Sequence, residues 1–563
     1  MAKAAMAIVK TEQILPKADV GEKSLKEKML KAQRLFGLEL SRLFHTPDYV
    51  PYAVIEVGNH FEIWPIRTEK FKLSLAHLFL QRTRKLPCKA DIKKASEELE
   101  WLALLVGQKR EVFNRIVKLD DAIYVDLVNS EWEQVKITAD GWNVISCSDS
   151  PARFIRQPGM LELAKPIKGG SLDTLRDFTN PGNEESFILI VSWLLGVMNP
   201  DGPFPILIIN GVQGSLKSTT IKILRSCIDP SVSVSRSLPQ SEQDLQISAS
   251  KSLIQSCDNI SSLSKRMSDA LCRLSTGGGS AKRKLYTNDS EVILNAIKPI
   301  ILGGIPNFAT QNDLLDRTII INQPHIPDQQ RRPESEIMNA WKREMPGIFG
   351  ALCHAVSTAL HNFEKVNLGA YPRMADFAHF VVAAEPALPW NNGMFLKAYE
   401  NNRADLVDIA IDADPAGTFV LEFMDKRDEW SGTHSELLES LKNIVPKSIQ
   451  RIKEWPKSPN SLSNRLMKLE AFLGKKGVKI ERKRRADKRI ITLRKLDVEE
   501  KPNKTSCSDE SPYDDTNRPD QSDPDQDGSL ELREVPESEI YGDYKGEPIE
   551  IIEVIIDREP GEM

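Results

Sequence analysis

The hydrophobic and polar positions of the chain change period several times, and each change marks a candidate element. From Ser24, LKEKMLKAQRLFGLELSRLF sets Met29, Leu30, Leu35, Leu38 and Leu40 on a broad helical stripe. YAVIEVGNHFEIWPI then alternates by two around Gly58-Asn59, a hairpin signal. Helices are expected near residues 71–83 and 90–106. IYVDLV and WEQVKIT alternate as further strands within 112–156. This stretch reads as an α+β module. A two-metal active site in it would need paired aspartates on a strand. Asp120, Asp121 and Asp126 in KLDDAIYVDL form no strand-borne Asp-x-Asp pair and have no convincing His partner, so a turn-forming or solvated role prevails.

Farther on, EESFILIVSWLLGVM has helical character and precedes the breakers Asn199-Pro200-Asp201-Gly202-Pro203. FPILIIN reads as a fully buried strand, and GVQGSLKSTTIKILRS follows it directly. Strand, glycine loop and helix is the order of a P-loop. SLIQSCDNIS is a second mostly apolar run, ending at Asp258. SDALCRLSTGGGSAKRKLYTNDSEVILNAIKPIILGGIPN gives a helix, three glycines, a hairpin around Asn288-Asp289-Ser290 and the apolar strand PIILGGI. Residues 338–413 are mostly helical by periodicity. Helices around 417–426, 433–443 and 458–472 precede VKIERK and RIITLRK, two strands joined by a basic turn. Three helices and a hairpin make a winged-helix arrangement.

The expected organisation is multidomain α/β: an N-terminal tail and helix (1–49), an α+β accessory module (50–170), a P-loop ATPase core (171–337), a helical lid or collar (338–416), a winged helix (417–496) and an acidic tail (497–563). A length of 563 residues, 40% hydrophobic and 28% charged, suits several domains and excludes a wholly disordered chain or a small disulfide scaffold. The seven cysteines are odd in number and never CxxC, which argues against a zinc site or disulfide framework. The longest apolar run, Phe187 to Met198, falls short of the roughly 20 residues a membrane helix needs. MAKAAMAIVKTEQ lacks an apolar signal core, so a cytoplasmic protein without a membrane span is expected.

Net charge is -5, but it is divided unevenly. Residues 497–563 hold 22 acidic and 6 basic residues, whereas Arg451 to Lys495 alone holds 16 basic and 4 acidic. A basic patch of this kind is a nucleic-acid footprint, against the plainer reading of a solvated charged face. Asn464, Arg465 and Lys468 would then lie on a recognition helix and Arg484, Arg485 and Lys488 on the wing, although winged helices also dock proteins. Lys282, Arg283 and Lys284 on the earlier hairpin are candidate phosphate contacts. The tail is expected to be disordered, and its terminal IEIIEVIID offers an alternating strand to a sheet edge on this chain or on a replication partner.

In G-x-x-x-x-G-K-[ST] the loop amides cradle phosphates, the lysine reaches the β/γ oxygens and the hydroxyl ligates Mg²⁺. The matching positions are Gly211, Leu216, Lys217 and Ser218, with Gln213, Gly214, Ser215 and Thr219 completing the candidate ATP contacts. Leucine replaces the second glycine, and its side chain, pointing away from the phosphates, is expected to narrow the site. Asp258 is the candidate metal-side acid. Asn259 stands where many ATPases carry a glutamate base, and an amide orients water without accepting its proton.

GVQGSLKST, the Asp258-Asn259 strand end, LSTGGGSAKRKLYTND, DLLDRTIIINQP, RMADFA and WPKSPNSLSNRL, in this order, resemble the superfamily 3-like AAA+ replication proteins of phages, plasmids and integrated elements, relatives of the poxvirus-type primase-helicases. The resemblance covers about residues 50–495 and is most specific from Gly211 to Gln323. It implies a ring-forming ATPase, hexameric in type, that uses ATP and Mg²⁺ to move on single-stranded or forked DNA. It makes Lys217, Ser218, Asp258 and Asn259 the catalytic centre. Arg317 becomes a finger toward a neighbouring subunit's ATP, with a salt bridge to Asp313 or Asp316 as the alternative. Arg373 becomes a second sensor or a helix-surface arginine. Where the family commonly has an Asn that senses the γ-phosphate this chain has Gly303, with Asn307 four residues on. The reading is therefore a helicase or initiator ATPase of a mobile element, and its rival a non-catalytic, ATP-binding DNA-assembly factor. A small-molecule kinase would leave the basic module without a task.

Overall fold

The computed structural model describes residues 38–496, apart from 59, 278–279, 284–290, 295–296, 306–307, 310, 413 and 486–487. Most of the expected N-terminal helix and all of the acidic tail, IEIIEVIID included, lie outside these residues. Where the helical stripe should pass Leu40 the chain instead makes one 3-10 turn, Leu40–Arg42, and enters a strand, β1 (Leu43–His45). Leu43 and Phe44 pair with Ala53 and Tyr52 on β2 (Pro51–Val57), and Phe44 and His45 pair with residues 108 and 109. Burying both side chains in a sheet outweighs the local helical pattern.

The hairpin continues with β3 (His60–Pro65), and helices α1 (Glu69–Thr83) and α2 (Lys89–Leu105) pack over this sheet before β4 (Gln108–Lys109) joins its edge beside β1. Thr68 caps α1 and Cys88 caps α2. A four-stranded antiparallel meander follows: β5 (Ile116–Leu119), β6 (Ala122–Asp126), β7 (Glu133–Thr138) and β8 (Gly141–Ser146). Asp126 is buried and takes up Arg156 at 2.9 Å and the Val128 amide at 3.0 Å. Asp120 sits in the β5–β6 turn with φ 50°, as the turn-forming reading has it, whereas Asp126 departs from that reading because β6 carries it into the interior against Arg156.

The central layer begins with α3 (Glu184–Met198), capped by Asn183 and buried at every position from Phe187 to Met198. Its apolar residues run all round because protein covers every side. Then come β9 (Ile206–Gly211), α4 (Lys217–Ser226), α5 (Glu242–Lys251), β10 (Gln255–Ile260), α6 (Lys265–Thr276), the hairpin β11 (Ser280–Arg283) and β12 (Glu291–Leu294), β13 (Ile300–Gly304) and β14 (Thr318–Gln323). The parallel sheet has the order β10-β13-β9-β14. One face packs on a core shared by α3, α4, the β5–β7 meander, α7 (Glu334–Asn362) and α8 (Ala375–Ala384). The other face buries Ile206, Ile208, Leu302 and Ile320 against α6 and α9 (Met394–Asp412). The outer edge of β14 is blunted by Asn402, whose amide accepts from Ile320 N at 3.1 Å and donates to Ile320 O at 2.6 Å. Outside β10, Arg236 pairs with Cys257 through Arg236 N to Ser256 O (3.0 Å) and Asp258 N to Arg236 O (3.2 Å).

The last segment has its own core and consists of α10 (Pro415–Asp425), β15 (Glu429–Thr433), α11 (His434–Ile444), a one-turn helix Lys447–Arg451, α12 (Pro459–Lys475), β16 (Val478–Arg485) and β17 (Lys488–Lys495). Thr433 and Glu436 form a capping box on α11. The sheet order is β15-β17-β16, so β15 adds a third strand to the expected hairpin. Among the described residues no helix is long and apolar enough to cross a membrane. The six described cysteines are free, and burial pushes the Cys257 thiol up to about 11, which keeps it neutral.

A buried ionic cluster joins the meander to the central layer. The Asp229 carboxylate accepts from Leu253 N and Ile254 N, each at 3.1 Å, and from Arg115 Nε at 3.4 Å. The fully buried Arg115 also donates to the carbonyls of Asp126, Leu161 and Pro230. Burial pushes its guanidinium below its ordinary range, and Asp229 opposes that shift. Removing Arg115 takes one of two cations from the buried Asp229, the other being Arg225 at 3.7 Å, so Arg115→Ala should cost about 3 kcal/mol. Breaking the exposed Lys165–Glu133 pair with Lys165→Ala should cost less than about 1 kcal/mol. Urea unfolding midpoints compare the two, and equal losses would refute a structural role for the buried cluster.

Candidate functional site

Strand β9 ends at Gly211, and α4 starts at Lys217 with Leu216 as its cap residue. The turn between them needs left-handed backbone at Gly214 (φ 81°) and at Leu216 (φ 74°). Lys217 Nζ donates to Gly211 O at 2.5 Å and Val212 O at 3.0 Å, which folds the ammonium over the loop. Ser218 Oγ donates to Asp258 Oδ2 at 2.5 Å, across 40 residues of sequence. Asp258 Oδ1 accepts from Asn259 N at 2.7 Å. The strand end therefore delivers the carboxylate to the first turn of α4.

Gly303 on β13 makes this approach possible. A Cβ there would lie 2.5 Å from Asp258 Oδ1 and 2.5 Å from Ile221 Cδ1. An asparagine in its place would collide with the carboxylate, and the alternative, Asn307, lies outside the described residues. Ser218 and Asp258 offer hydroxyl and carboxylate oxygens, the donor set of a hard cation. Among the described residues no cluster of three or more His, Cys, Asp or Glu side chains forms an all-protein cage for a metal. A Mg²⁺ bound through one or two protein oxygens and substrate phosphates fits this set. Asn259 is exposed and left-handed (φ 58°) beside a cleft of about 350 Å³ lined by Ser235, Arg236, Asp258, Asn259 and Ser261, with no second carboxylate among the described residues.

Other groups around the loop carry no sequence motif. Asn180 Nδ2 donates to Ser215 O (3.0 Å) and Pro324 O (2.9 Å), and Ile326 N donates to Gly214 O (3.2 Å). The segment after β14 is thereby strapped to the loop. Arg331 in this strap stands over Gly214, and Arg236 flanks Asp258. Of the expected loop contacts, Gln213, Gly214 and Ser218 are exposed, whereas Ser215 and Thr219 are buried.

The expected arginines lie elsewhere. Pairing of Thr318 with Ile206 and of Gln323 with Gly211 puts Arg317 at the opposite end of β14 from the loop, about 17 Å away by strand rise. Arg317 pairs with Asp313 four residues before it, and Arg373 pairs with Asp316 at 2.6 Å, beside Arg403. Arg373, expected among the ATP contacts, therefore does not meet the loop of its own chain.

Lys282 and Arg283 fall on β11, and Lys284 lies outside the described residues. Asn464, Arg465 and Lys468 line a cleft of about 920 Å³ between α12 and the turn at 311–316. Arg465 pairs with Asp414 at 2.8 Å, and Asn312 Nδ2 donates to Lys468 O at 3.0 Å. This face of α12 is turned toward the central layer, which departs from an outward recognition face. The β16–β17 hairpin sets Arg484 opposite Arg489 and Arg485 opposite Lys488. Burial, together with Arg482 and Arg489, holds His434 below its ordinary value.

Leu216 departs from the expectation of a narrowed site. It is half-buried and packs against the main core, while its backbone takes the conformation a glycine would supply freely. Leu216→Gly should relieve strain of about 1–2 kcal/mol and lose some packing, whereas Leu216→Ala should keep the strain and lose the packing as well. The glycine variant is therefore expected to unfold at the higher temperature, the reverse of the order inside a helix. A more stable alanine variant would show that position 216 leaves the left-handed region.

No curated protein matches the chain. Two solved structures, both described as the apo A form of the NrS-1 C-terminal region, align with 84% of this chain and 98% of theirs. Their identities are 12% and 13%, with TM-scores of 0.36 and 0.35. Residues 172–412 match the sequence model of the actinomycete integrative conjugative element replication protein. Residues 416–508 match the C-terminal domain of the same replication protein. The two matches together span more than half of the chain, which belongs to the replication-protein family of actinomycete integrative conjugative elements.

Proposed function

We propose that this replication protein is an ATP-dependent DNA-translocating ATPase, a helicase or initiator of its element. The observation that carries the reading is the 2.5 Å contact between Ser218 Oγ and Asp258 Oδ2 at the end of a buried strand, beside a lysine folded over a strand-to-helix loop. Lys217 would exchange its two carbonyl partners for phosphate oxygens, and the amides at the N-terminus of α4 would donate to the same anion. Mg²⁺, when bound, supplies charge neutralisation at the phosphates. Ser218 and Asp258 would orient it, and Asn259 would position water. Arg317 lies at the far end of the sheet, so it serves this chemistry only across a subunit boundary, after releasing Asp313. That requirement supports a homo-oligomeric ring, of which the hexamer is the familiar form.

The order helix, strand, helix, one-turn helix, helix, strand, strand from α10 to β17 supports a winged-helix reading in which the one-turn helix Lys447–Arg451 lies in the connection between α11 and α12. DNA would then be held mainly by the tip of the β16–β17 hairpin, because Arg465 is committed to Asp414. The acidic tail would compete for those cations or dock a replication partner. One observation favours the non-catalytic, ATP-binding alternative: among the described residues, the cleft at Asp258 offers no second carboxylate to take a proton from water.

Steady-state phosphate release with and without single-stranded DNA separates the two readings. Hydrolysis stimulated by DNA, and abolished by Lys217→Ala, is expected; nucleotide binding without hydrolysis would establish the assembly factor instead. For DNA, log affinity against log salt should fall by about 0.9 per phosphate neutralised on duplex. Replacing Arg484, Arg485 and Lys488 with alanine should flatten that slope by up to about three such increments. An unchanged slope would move the DNA contact away from the hairpin.

A further inference from the structure

We infer that Arg331 is a second polyphosphate-binding cation of the loop, acting from the same chain as Lys217; this rests on the nucleotide-binding reading of that loop. Arg331 lies 114 residues from Lys217 and belongs to none of the motifs that mark the site. A Cβ at Gly214 would lie 2.5 Å from Arg331 Nη2 and 3.0 Å from Cζ. The guanidinium thus rests directly on the loop backbone, and the left-handed Gly214 is needed for that closeness as well as for its φ of 81°.

The position is held by a strap. Ile326 N donates to Gly214 O at 3.2 Å, and Asn180 bridges Ser215 O and Pro324 O. Arg331 Nε then donates to Ile326 O at 3.2 Å, and Nη2 donates to His325 Nε2 at 2.9 Å. Nη1 meets Asp328 at 2.8 Å. A guanidinium has five N–H donors, so this leaves one on each terminal nitrogen for a ligand. Within the loop, Ser215 is 1% exposed and its hydroxyl has no partner. That hydroxyl lies toward Gly211, where a Cβ would be 2.3 Å from it. A buried hydroxyl without a partner is costly, and an oxygen ligand entering the loop would satisfy it.

The plainer reading is a surface ion pair with Asp328, whose side chain is 83% exposed. Such a pair is weak and needs no glycine beneath it. Phosphate oxygens at the α4 N-terminus would offer the guanidinium a denser negative charge and bidentate geometry, so Asp328 acts as a placeholder that a polyphosphate displaces.

Titration of the full-length protein with ATP and with inorganic tripolyphosphate tests this, with thermal unfolding as a folding control. Arg331→Ala should weaken both ligands about tenfold or more, the loss of one charge-assisted hydrogen bond. Asp328→Ala removes the competitor without touching the loop, and should tighten both at low salt. If Lys217→Ala abolishes binding while Arg331→Ala and Asp328→Ala bind like the parent, the inference fails and the nucleotide-site reading stands. If Arg331→Ala weakens ATP but not tripolyphosphate, the guanidinium reads the nucleoside and the phosphate assignment is overturned. A parent chain that binds neither ligand refutes the underlying reading itself.

Discussion

The carboxylate of Asp229 fixes the distance on which the candidate site depends. It follows α4 by three residues, and it accepts from the amides of Leu253 and Ile254 just before β10 begins. Ser218 and Asp258 lie at the other ends of those same two elements. Clamping a helix and a strand at their base sets the separation of their tips, because both are rigid over such lengths. Arg115 closes the clamp from the meander side, and Arg225 adds its Nε to the Asp229 carbonyl at 3.2 Å. A buried carboxylate with this many donors holds one geometry, since leaving any of them unmade is costly in a low-dielectric interior.

Much of this arrangement was legible in the sequence where the pattern is local. FPILIIN has no polar residue until Asn210 and became β9, and the loop-to-helix boundary at Lys217 follows from the motif spacing. The C-terminal helices begin within two residues of their expected starts because Asp414, Thr433 and Ser458 cap them. β15 escaped because EWSGT is five residues long, carries a glycine and shows no alternation. The chain around Leu40 reads as helix, and only its distant partners on β2 and β4 turn it into a strand. Arg331 and Asn180 left no signal: their meaning comes from a strap formed between residues more than 100 positions apart.

Gly303 shows how a departure from a family pattern can be read physically. Seen alone it is a missing asparagine; seen in the fold it is the space into which Asp258 and Ile221 project. Leu216 works in the opposite sense, keeping the backbone of the glycine it replaces while sending its side chain into the core. The arginines divide accordingly: Arg331 and Arg236 stand at the loop end of the sheet, and Arg317, Arg373 and Arg403 gather on Asp313 and Asp316 at the other.

Each margin of the central sheet is covered at one residue. Asn402 occupies the amide and carbonyl of Ile320 on β14, and Arg236 pairs along β10 at Cys257. A body docking beside Ile320 therefore meets the Asn402 side chain in place of a free ladder position. Side-chain contacts are made and broken one at a time, whereas a ladder of amides parts only as a unit.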